Sequence, residues 1–114
     1  MRIADLKKWI KLVLEDFTKG DETYYLSIVF VDSKKMQDLN NRYRGKNEDT
    51  DILSFGWDSA REGTRVYKYG ELVVSRRKLA KQAKEFKHSP KDELKILLIH
   101  GLLHLFGYDH ENEK

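Results

Sequence analysis

Near its C-terminus the chain reads His100-Gly101-Leu102-Leu103-His104-Leu105-Phe106-Gly107-Tyr108-Asp109-His110, with three histidines in an otherwise largely apolar stretch. On a helix, His100 and His104 lie about 40° apart on one face, so both imidazoles can reach a single metal ion. Gly107 is suited to end that helix in a left-handed conformation and to turn the chain, bringing His110 to the same ion. The stretch therefore predicts a metal site at the end of a C-terminal helix.

The predicted ligands, His100, His104 and His110, favour a catalytic metal over a structural one. Three imidazoles leave one position of a tetrahedral zinc ion open, whereas structural sites usually fill all four positions with cysteine and histidine. The chain contains no cysteine. Three buried structural histidines would each need a polar partner, and residues 96–106 offer almost none. We expect one zinc ion per chain, with nickel as an alternative because it also accepts imidazole.

Gly101 separates this pattern from that of the metzincin peptidases. Those enzymes share the spacing H-x-x-x-H-x-x-G-x-x-H, but the residue after their first histidine is the glutamate that acts as general base. A carboxylate with that role would have to come from elsewhere, and Asp109 and Glu71 are the candidates. Glycine inside a helix costs about 1 kcal/mol relative to alanine, which is best explained by a close approach of another group to the backbone. Peptidase chemistry is therefore disfavoured.

Length and composition predict a single globular domain over residues 1–114. The chain is 39% hydrophobic and 36% charged, which is enough apolar material for one core beneath a densely charged surface. Its net charge of +3 permits a polyanionic partner such as RNA without demanding one. The absence of cysteine fits a reducing compartment. No stretch has the length and apolarity of a secretory signal or a membrane span, so we expect a cytoplasmic protein without membrane association.

Hydrophobic periodicity predicts a helix and then a strand in the first part of the chain. One face of the helix consists of Ile3, Leu6, Ile10, Val13, Leu14 and Phe17. Residues 24–31 are β-branched and aromatic, as in a buried strand. Ser33 is predicted to cap a second helix that ends at Arg44, because Gly45 follows. The first part of the chain is thus predicted to form a helix, a strand and a second helix, in that order.

The middle of the chain predicts short strands separated by turns. Residues 45–51 form a polar loop before a short strand at 52–55, and residues 57–63 have the composition of a turn region. Residues 64–69 and 70–75 are two further strand candidates, a hairpin partner and a core strand.

Serine caps begin the last two predicted helices. Ser75 caps a third helix, whose buried face is predicted to contain Leu79, Ala80, Ala83 and Phe86. Its basic residues favour a solvated surface over an RNA-binding face; they are Arg76, Arg77, Lys78, Lys81, Lys84 and Lys87. Ser89 and Pro90 begin the final helix, which carries the histidines. The elements together predict an α+β fold with a small mixed sheet covered by helices.

Three blocks of the sequence resemble the YbeY endoribonucleases, which are implicated in bacterial ribosomal RNA maturation. Residues 100–110 are similar to that family's H-G-x-L-H-L-x-G-Y-D-H pattern. Residues 39–46 and 50–55 resemble its L-N-x-x-Y-R-x-K and T-D-V-L-S-F segments, and residues 70–75 resemble its G-D-I-x-I-S strand. Asp49 stands where the family usually has proline, and Glu71 stands where it has aspartate.

The resemblance implies a zinc-dependent, single-strand-specific endoribonuclease that acts in rRNA maturation and ribosome quality control, with rRNA and the ribosomal subunit as partners. It implies that His100, His104 and His110 bind zinc and that Arg44 matches the arginine associated with catalysis. Arg44 could hold a phosphate oxygen and stabilise developing charge. Asp109 is a candidate to accept the second N–H of a metal-bound imidazole, or to act as a base.

Two other functions remain open at this point. The chain could be another zinc hydrolase, including a peptidase despite Gly101. It could also be a non-catalytic RNA-binding or ribosome-binding assembly factor in which the metal is structural. His88 is a possible fourth ligand for such a structural ion, although an ordinary surface histidine is the favoured interpretation.

Overall fold

The computed structural model describes residues 3–15 and 22–107, which form four helices and a three-stranded mixed sheet. The helices are α1 (Ile3–Glu15), α2 (Ser33–Arg44), α3 (Arg76–Glu85) and α4 (Pro90–Leu105). The strands are β1 (Glu22–Val31), β2 (Ile52–Glu62) and β3 (Arg65–Ser75). The predicted α+β class with a small mixed sheet is confirmed. Phe17, assigned to the apolar face of the first helix, lies outside the described residues.

β3 is the central strand of the sheet, with β1 parallel on one side and β2 antiparallel on the other. β2 and β3 form a hairpin that turns at Gly63 and Thr64, where Gly63 has a positive φ of 63°. The predicted turn region at residues 57–63 was therefore wrong, since β2 continues to Glu62. A bulge between Phe55 and Asp58 disrupts the regular alternation, and pairing with β3 holds this polar segment in an extended conformation.

The residues predicted as two strands, 64–69 and 70–75, form the single strand β3. Gly70 was predicted to start a new strand, but it lies inside β3. The position requires glycine because the ring of Trp57 on β2 packs directly over it. A β-carbon at Gly70 would lie 2.6 Å from that ring, so the glycine accommodates a cross-strand contact and does not mark a turn.

The two faces of the sheet are covered by different helices. α1 and α4 cover the face that includes Leu72, Val74 and Ile28. α2 covers part of the other face, where Met36 packs on Leu53 and Val73. Leu72, Val74 and Met36 are fully buried, so the middle of β3 lies at the centre of the core. This two-sided burial explains the apolar run at the end of β3.

Helix caps fix where the elements around the site begin and end. The α2 cap is Asp32, whose Oδ1 accepts a hydrogen bond from the Lys35 N–H at 2.8 Å, and not the predicted Ser33. Ser33 begins the helix and donates instead to Asp49 at 2.9 Å. Gly45 ends α2 with a φ of 70°, as predicted. The predicted serine caps of α3 and α4 are confirmed, with Lys78 and Asp92 as the backbone donors.

The buried face predicted for α3 is only partly correct. Ala83 is buried, whereas Ala80 is exposed and Phe86, beyond the last turn, is 59% exposed. Phe86 caps the end of α3, and Lys87 after it takes a positive φ of 58°, so the chain leaves the helix at this point. The basic side chains of α3 are exposed except for the half-buried Lys78, in keeping with a solvated surface.

Gly101 lies at the contact of α4 with the sheet. A β-carbon on it would lie 2.8 Å from the Leu72 side chain and 2.9 Å from that of Ile52, which confirms the predicted close approach. We expect Gly101→Val to lower the free energy of unfolding by about 1–3 kcal/mol, because the fully buried Leu72 cannot move freely. The measurement is denaturant unfolding. Gly56→Val is the control, since a β-carbon there meets nothing within 4 Å; equal losses in both variants would contradict the packing argument.

None of the helices formed by residues 3–15 and 22–107 is long and apolar enough to cross a membrane.

Candidate functional site

A hollow of about 700 Å³ lies where α4, the end of α2 and the beginning of β2 meet. We call it the histidine hollow. Its charged and imidazole-bearing lining residues are His100, His104, Arg44, Asp51 and Asp58. The rest of its lining is Tyr43, Thr50, Ile52, Leu53, Ser54, Phe55, Gly56 and Leu105. The two blocks of sequence quoted around Arg44 and His100 therefore meet in space.

α4 presents both histidines to the hollow because its opposite side is buried. Leu98, Gly101 and Leu102 pack into the core, whereas His100 and His104 are exposed. The two histidines are four residues apart, which is one helical turn, so their side chains lie one above the other. Two of the three predicted ligands thus line one hollow.

The end of α4 is held by aromatic packing. Phe106 packs against Trp57 and Tyr24, with ring centroids 5.2 and 5.6 Å away. Burial and a hydrogen bond to Glu22 raise the pKa of Tyr24 to about 12, so this hydroxyl stays protonated at neutral pH. Gly107 follows with a φ of 90°, the positive value predicted for a residue that turns the chain. The end of α4 is therefore fixed by a packed ring and a glycine.

The predicted third ligand, His110, lies outside the described residues, as do Tyr108 and Asp109. Within residues 3–15 and 22–107, no group of three histidine, cysteine, aspartate or glutamate side chains could hold a metal ion. His100 and His104 by themselves supply two imidazole donors on one face of the hollow. The hollow brings together two imidazoles, two carboxylates and one arginine, so with neutral histidines its charge is negative and would repel a phosphodiester. A divalent cation would reverse that sign.

The loop between α2 and β2 is folded back along α2. The side-chain amide of the buried Asn40 donates to the carbonyl of Glu48 at 2.9 Å, and Gln37 donates to the carbonyl of Asn47 at 3.2 Å. Asp49 accepts the Ser33 hydroxyl at the other end of the loop. Asp49 at the usual proline position of the family thus holds the loop with a hydrogen bond. Arg44 and Thr50 consequently reach the same hollow.

Asp51 joins three elements at the base of the hollow. Its carboxylate accepts hydrogen bonds from the Ile52 N–H at 2.7 Å and from the Gln82 side chain on α3 at 3.3 Å. Its carbonyl accepts the Ser75 N–H at 2.9 Å. Ser54 adds a link from β2 to α4 by donating to the Gly101 carbonyl at 3.2 Å. Sequence reasoning assigned no role to Asp51 or Ser54, although the motif that contains them was the available signal.

Two other sequence candidates lie away from the histidine hollow. Glu71 is exposed and lines a neighbouring hollow on the opposite face of the sheet from α4, so it is not placed to act as a base beside His100. His88 precedes the start of α4, whereas His100 is the eleventh residue of the helix and lies about 15 Å along its axis from Pro90. His88 is therefore not placed to complete a metal site with His100 and His104.

A model of the family described as Endoribonuclease YbeY matches residues 1–114 of this chain. The chain belongs to the YbeY family. The family resemblance found in the sequence is confirmed. A YbeY endoribonuclease from Aquifex aeolicus is 37% identical over 111 residues, covering 97% of this chain and 71% of that protein. One from Petrotoga mobilis is 39% identical over 113 residues, covering 99% of this chain and 72% of that protein.

A further YbeY relative, from Alkaliphilus oremlandii, is 41% identical over 93 residues, which are 80% of this chain and 62% of that protein. Several relatives are thus matched over less than two thirds of their length. A solution structure from Thermotoga maritima is similar to this fold, with a TM-score of 0.62 and 29% sequence identity, over 95% of this chain and 66% of that one. The Thermotoga maritima protein therefore has a similar fold, and it and the relatives above extend beyond the part matched here.

Proposed function

We propose that this chain is a zinc-dependent endoribonuclease that cuts single-stranded RNA and acts in rRNA maturation and ribosome quality control in the cytoplasm. The observation that carries the proposal is that His100, His104 and Arg44 line one hollow. The name of its relatives, Endoribonuclease YbeY, supports RNA as the substrate class. The family resemblance supports ribosomal RNA and the ribosomal subunit as partners.

His100 and His104 would hold zinc together with His110, leaving a fourth position open. A bound zinc ion would polarise a phosphoryl oxygen and lower the pKa of a water molecule towards about 7. Nickel is the alternative metal, since it also accepts imidazole ligands. Asp109 is close enough in sequence to His110 to orient an imidazole by accepting its second N–H, or to take up a proton.

Arg44 is assigned to the phosphate. It occupies the last turn of α2, and the left-handed Gly45 ends the helix immediately after it. Its guanidinium can donate two parallel hydrogen bonds to phosphate oxygens and stabilise the negative charge that develops as the phosphodiester is attacked. Arg44 would therefore contribute to the rate as well as to binding.

An aromatic pair at the edge of the hollow favours unpaired RNA. Tyr43 is 58% exposed and contacts Phe55 edge-on, with ring centroids 5.0 Å apart. Exposed rings beside a phosphate site stack on bases that are not already stacked in a duplex. This placement supports single-strand specificity.

The proposal is tested by giving the zinc-loaded protein three substrates: single-stranded RNA, the same RNA in a duplex, and an unstructured protein. We expect cleavage of the single strand alone. Cleavage of the protein would favour the peptidase alternative, although Leu72 and Ile52 leave no room at Gly101 for the glutamate that peptidases use. Zinc and RNA binding without any cleavage would favour an assembly factor.

The affinity for single-stranded RNA is expected to fall steeply with salt. Each phosphate neutralised by a lysine or arginine contributes a slope of about 0.7 to the decrease of log affinity with log salt concentration. Fluorescence anisotropy across a series of potassium chloride concentrations gives this slope for the wild type and for Arg44→Ala. The slope of the variant should be smaller by about 0.7. An affinity that is independent of salt would mean that the basic residues make no phosphate contacts.

A further inference from the structure

Three tyrosines lie side by side on the sheet face opposite α4. Tyr25 on β1 is directly opposite Tyr69 on β3, and their rings are stacked 5.1 Å apart with only 11° between their planes. Tyr67 stacks on Tyr25 at 6.4 Å with an angle of 25°. Tyr25 and Tyr69 are 50% and 46% exposed. We call Tyr25, Tyr67 and Tyr69 the tyrosine platform.

α2 leaves the platform uncovered because the helix packs at the other end of the strands. Met36 of α2 contacts Val73 and Leu53, which lie beyond the platform along β3 and β2. Large exposed aromatic side chains in contact with one another are unusual on a protein surface and mark a site of interaction. Tyrosine suits such a site because its ring is rigid and loses little conformational entropy on binding.

The tyrosine platform is continuous with the histidine hollow. Tyr25 and Tyr69 line a second hollow of about 570 Å³. Four of its lining residues also line the histidine hollow; they are Tyr43, Phe55, Gly56 and Asp58. A strand of RNA that places a phosphodiester beside His100 can therefore continue over Tyr43 and reach the platform without leaving the surface.

We propose that the tyrosine platform stacks unpaired bases of the RNA strand that is cut at the histidine hollow. The proposal rests on RNA being the substrate. Stacking on aromatic side chains is the sequence-tolerant way in which proteins hold single-stranded nucleic acid, because every base has a π-face.

The charges beside the platform determine which part of the nucleotide faces it. Asp58 lies directly opposite Tyr69, and Glu71 is on the same face two residues further along β3. Two carboxylates repel phosphate, but they accept hydrogen bonds from the exocyclic amino groups of bases, such as N4 of cytosine. The bases consequently face the platform, while the phosphates lie towards Arg44 and the metal ligands.

The test compares binding of a short fluorescein-labelled oligocytidylate RNA to the wild type and to the double variant Tyr25→Ala/Tyr69→Ala. Anisotropy is read in the first seconds after mixing, at one salt concentration. Loss of base stacking should raise Kd about tenfold or more. Tyr25→Phe/Tyr69→Phe keeps both rings and should bind within about twofold of the wild type. Phe86→Ala is the control. It removes a ring that is 59% exposed at the end of α3, outside the two hollows, and should leave Kd unchanged.

RNA containing 5-iodouridine gives a second readout that does not depend on a folded variant. Ultraviolet irradiation of its complex with the wild type should attach the RNA to Tyr25 or Tyr69, as located by mass spectrometry of the digested protein. Crosslinks found only elsewhere would overturn the platform, as would an unchanged Kd in the alanine double variant.

Parallel cleavage assays separate this proposal from the ribonuclease function. If the wild type cleaves RNA and the alanine double variant binds RNA with the same Kd, the platform proposal is overturned but the ribonuclease function is not. RNA binding that requires both tyrosines, in a protein that cleaves nothing, would support the platform and contradict the ribonuclease. Failure of the wild type to bind RNA would overturn both, leaving a protein partner as the occupant of the platform.

Discussion

Arg44→Ala is expected to lower the single-turnover rate of RNA cleavage by about 100-fold or more while leaving the zinc content unchanged. A donor aimed at charge that develops in the transition state typically contributes that much. The side chain is exposed, so stability should change by no more than about 0.5 kcal/mol. The measurement uses saturating RNA, because a lost phosphate contact alone would be offset by more substrate, whereas a lost transition-state contact would not.

Arg42→Ala is the matched control for Arg44. Both arginines lie in the last turn of α2 and are exposed, but only Arg44 lines the histidine hollow. The control should cleave at nearly the wild-type rate. If Arg44→Ala did so as well at saturating RNA, Arg44 would have no catalytic role, and equal losses in both variants would indicate a general effect of charge.

Three single variants, His100→Ala, His104→Ala and His110→Ala, should each bind well below one zinc ion per chain. Two ligands cannot complete the site, so each variant loses the stability that zinc binding gives, about 2.7 kcal/mol where free zinc exceeds Kd about 100-fold. Metal analysis of the purified protein and its melting temperature are the measurements. His100 and His104 are exposed, so lower stability in these variants should vanish when wild type and variants are compared without metal.

His88→Ala serves as the control in this series. His88 is an exposed histidine before α4, away from the histidine hollow, and its loss should change neither zinc content nor melting temperature. Full zinc occupancy in all three ligand variants would exclude the proposed site. Loss of zinc in His88→Ala would instead indicate that His88 binds the metal, which its position does not favour.

Helix ends were predictable because the interactions that determine them lie within a few residues of each end. Gly45 ends α2 and Ser89 begins α4 through local backbone conformation and local hydrogen bonds. The same logic predicted Ser33 as the cap of α2, whereas the cap is Asp32; both residue types cap helices well. The difference arises from Asp49, sixteen residues away, which takes the Ser33 hydroxyl. Such a distant partner is invisible to local patterns.

The extent of β2 could not be predicted, because its second half is held by pairing and not by composition. Asp58, Ser59 and Glu62 are poor strand residues, yet each lies opposite a residue of β3. The order of the strands, with β3 between β1 and β2, likewise depends on packing between distant segments. The tyrosine platform follows from that order, since Tyr25 and Tyr69 become neighbours only through the parallel pairing of β1 with β3.

The candidate site was predictable only where local spacing determines it. Helical spacing alone puts His100 and His104 on one face of α4. The presence of Arg44 in the same hollow was implied only by the family resemblance, and the structure brings it there through the loop that Asn40 holds against α2. The predictions for His110 and Asp109 stand as predictions, because both lie outside the described residues.

The central claim is that zinc held by the three histidines makes this chain an endoribonuclease. It is tested most directly by removing metal with a chelator, adding zinc back in steps, and following single-turnover cleavage of a defined single-stranded RNA together with bound zinc. We predict no cleavage by the stripped protein and a rate that rises in proportion to bound zinc, reaching its plateau at about one ion per chain. Undiminished cleavage by the metal-free protein, or full zinc occupancy without cleavage, would contradict the account.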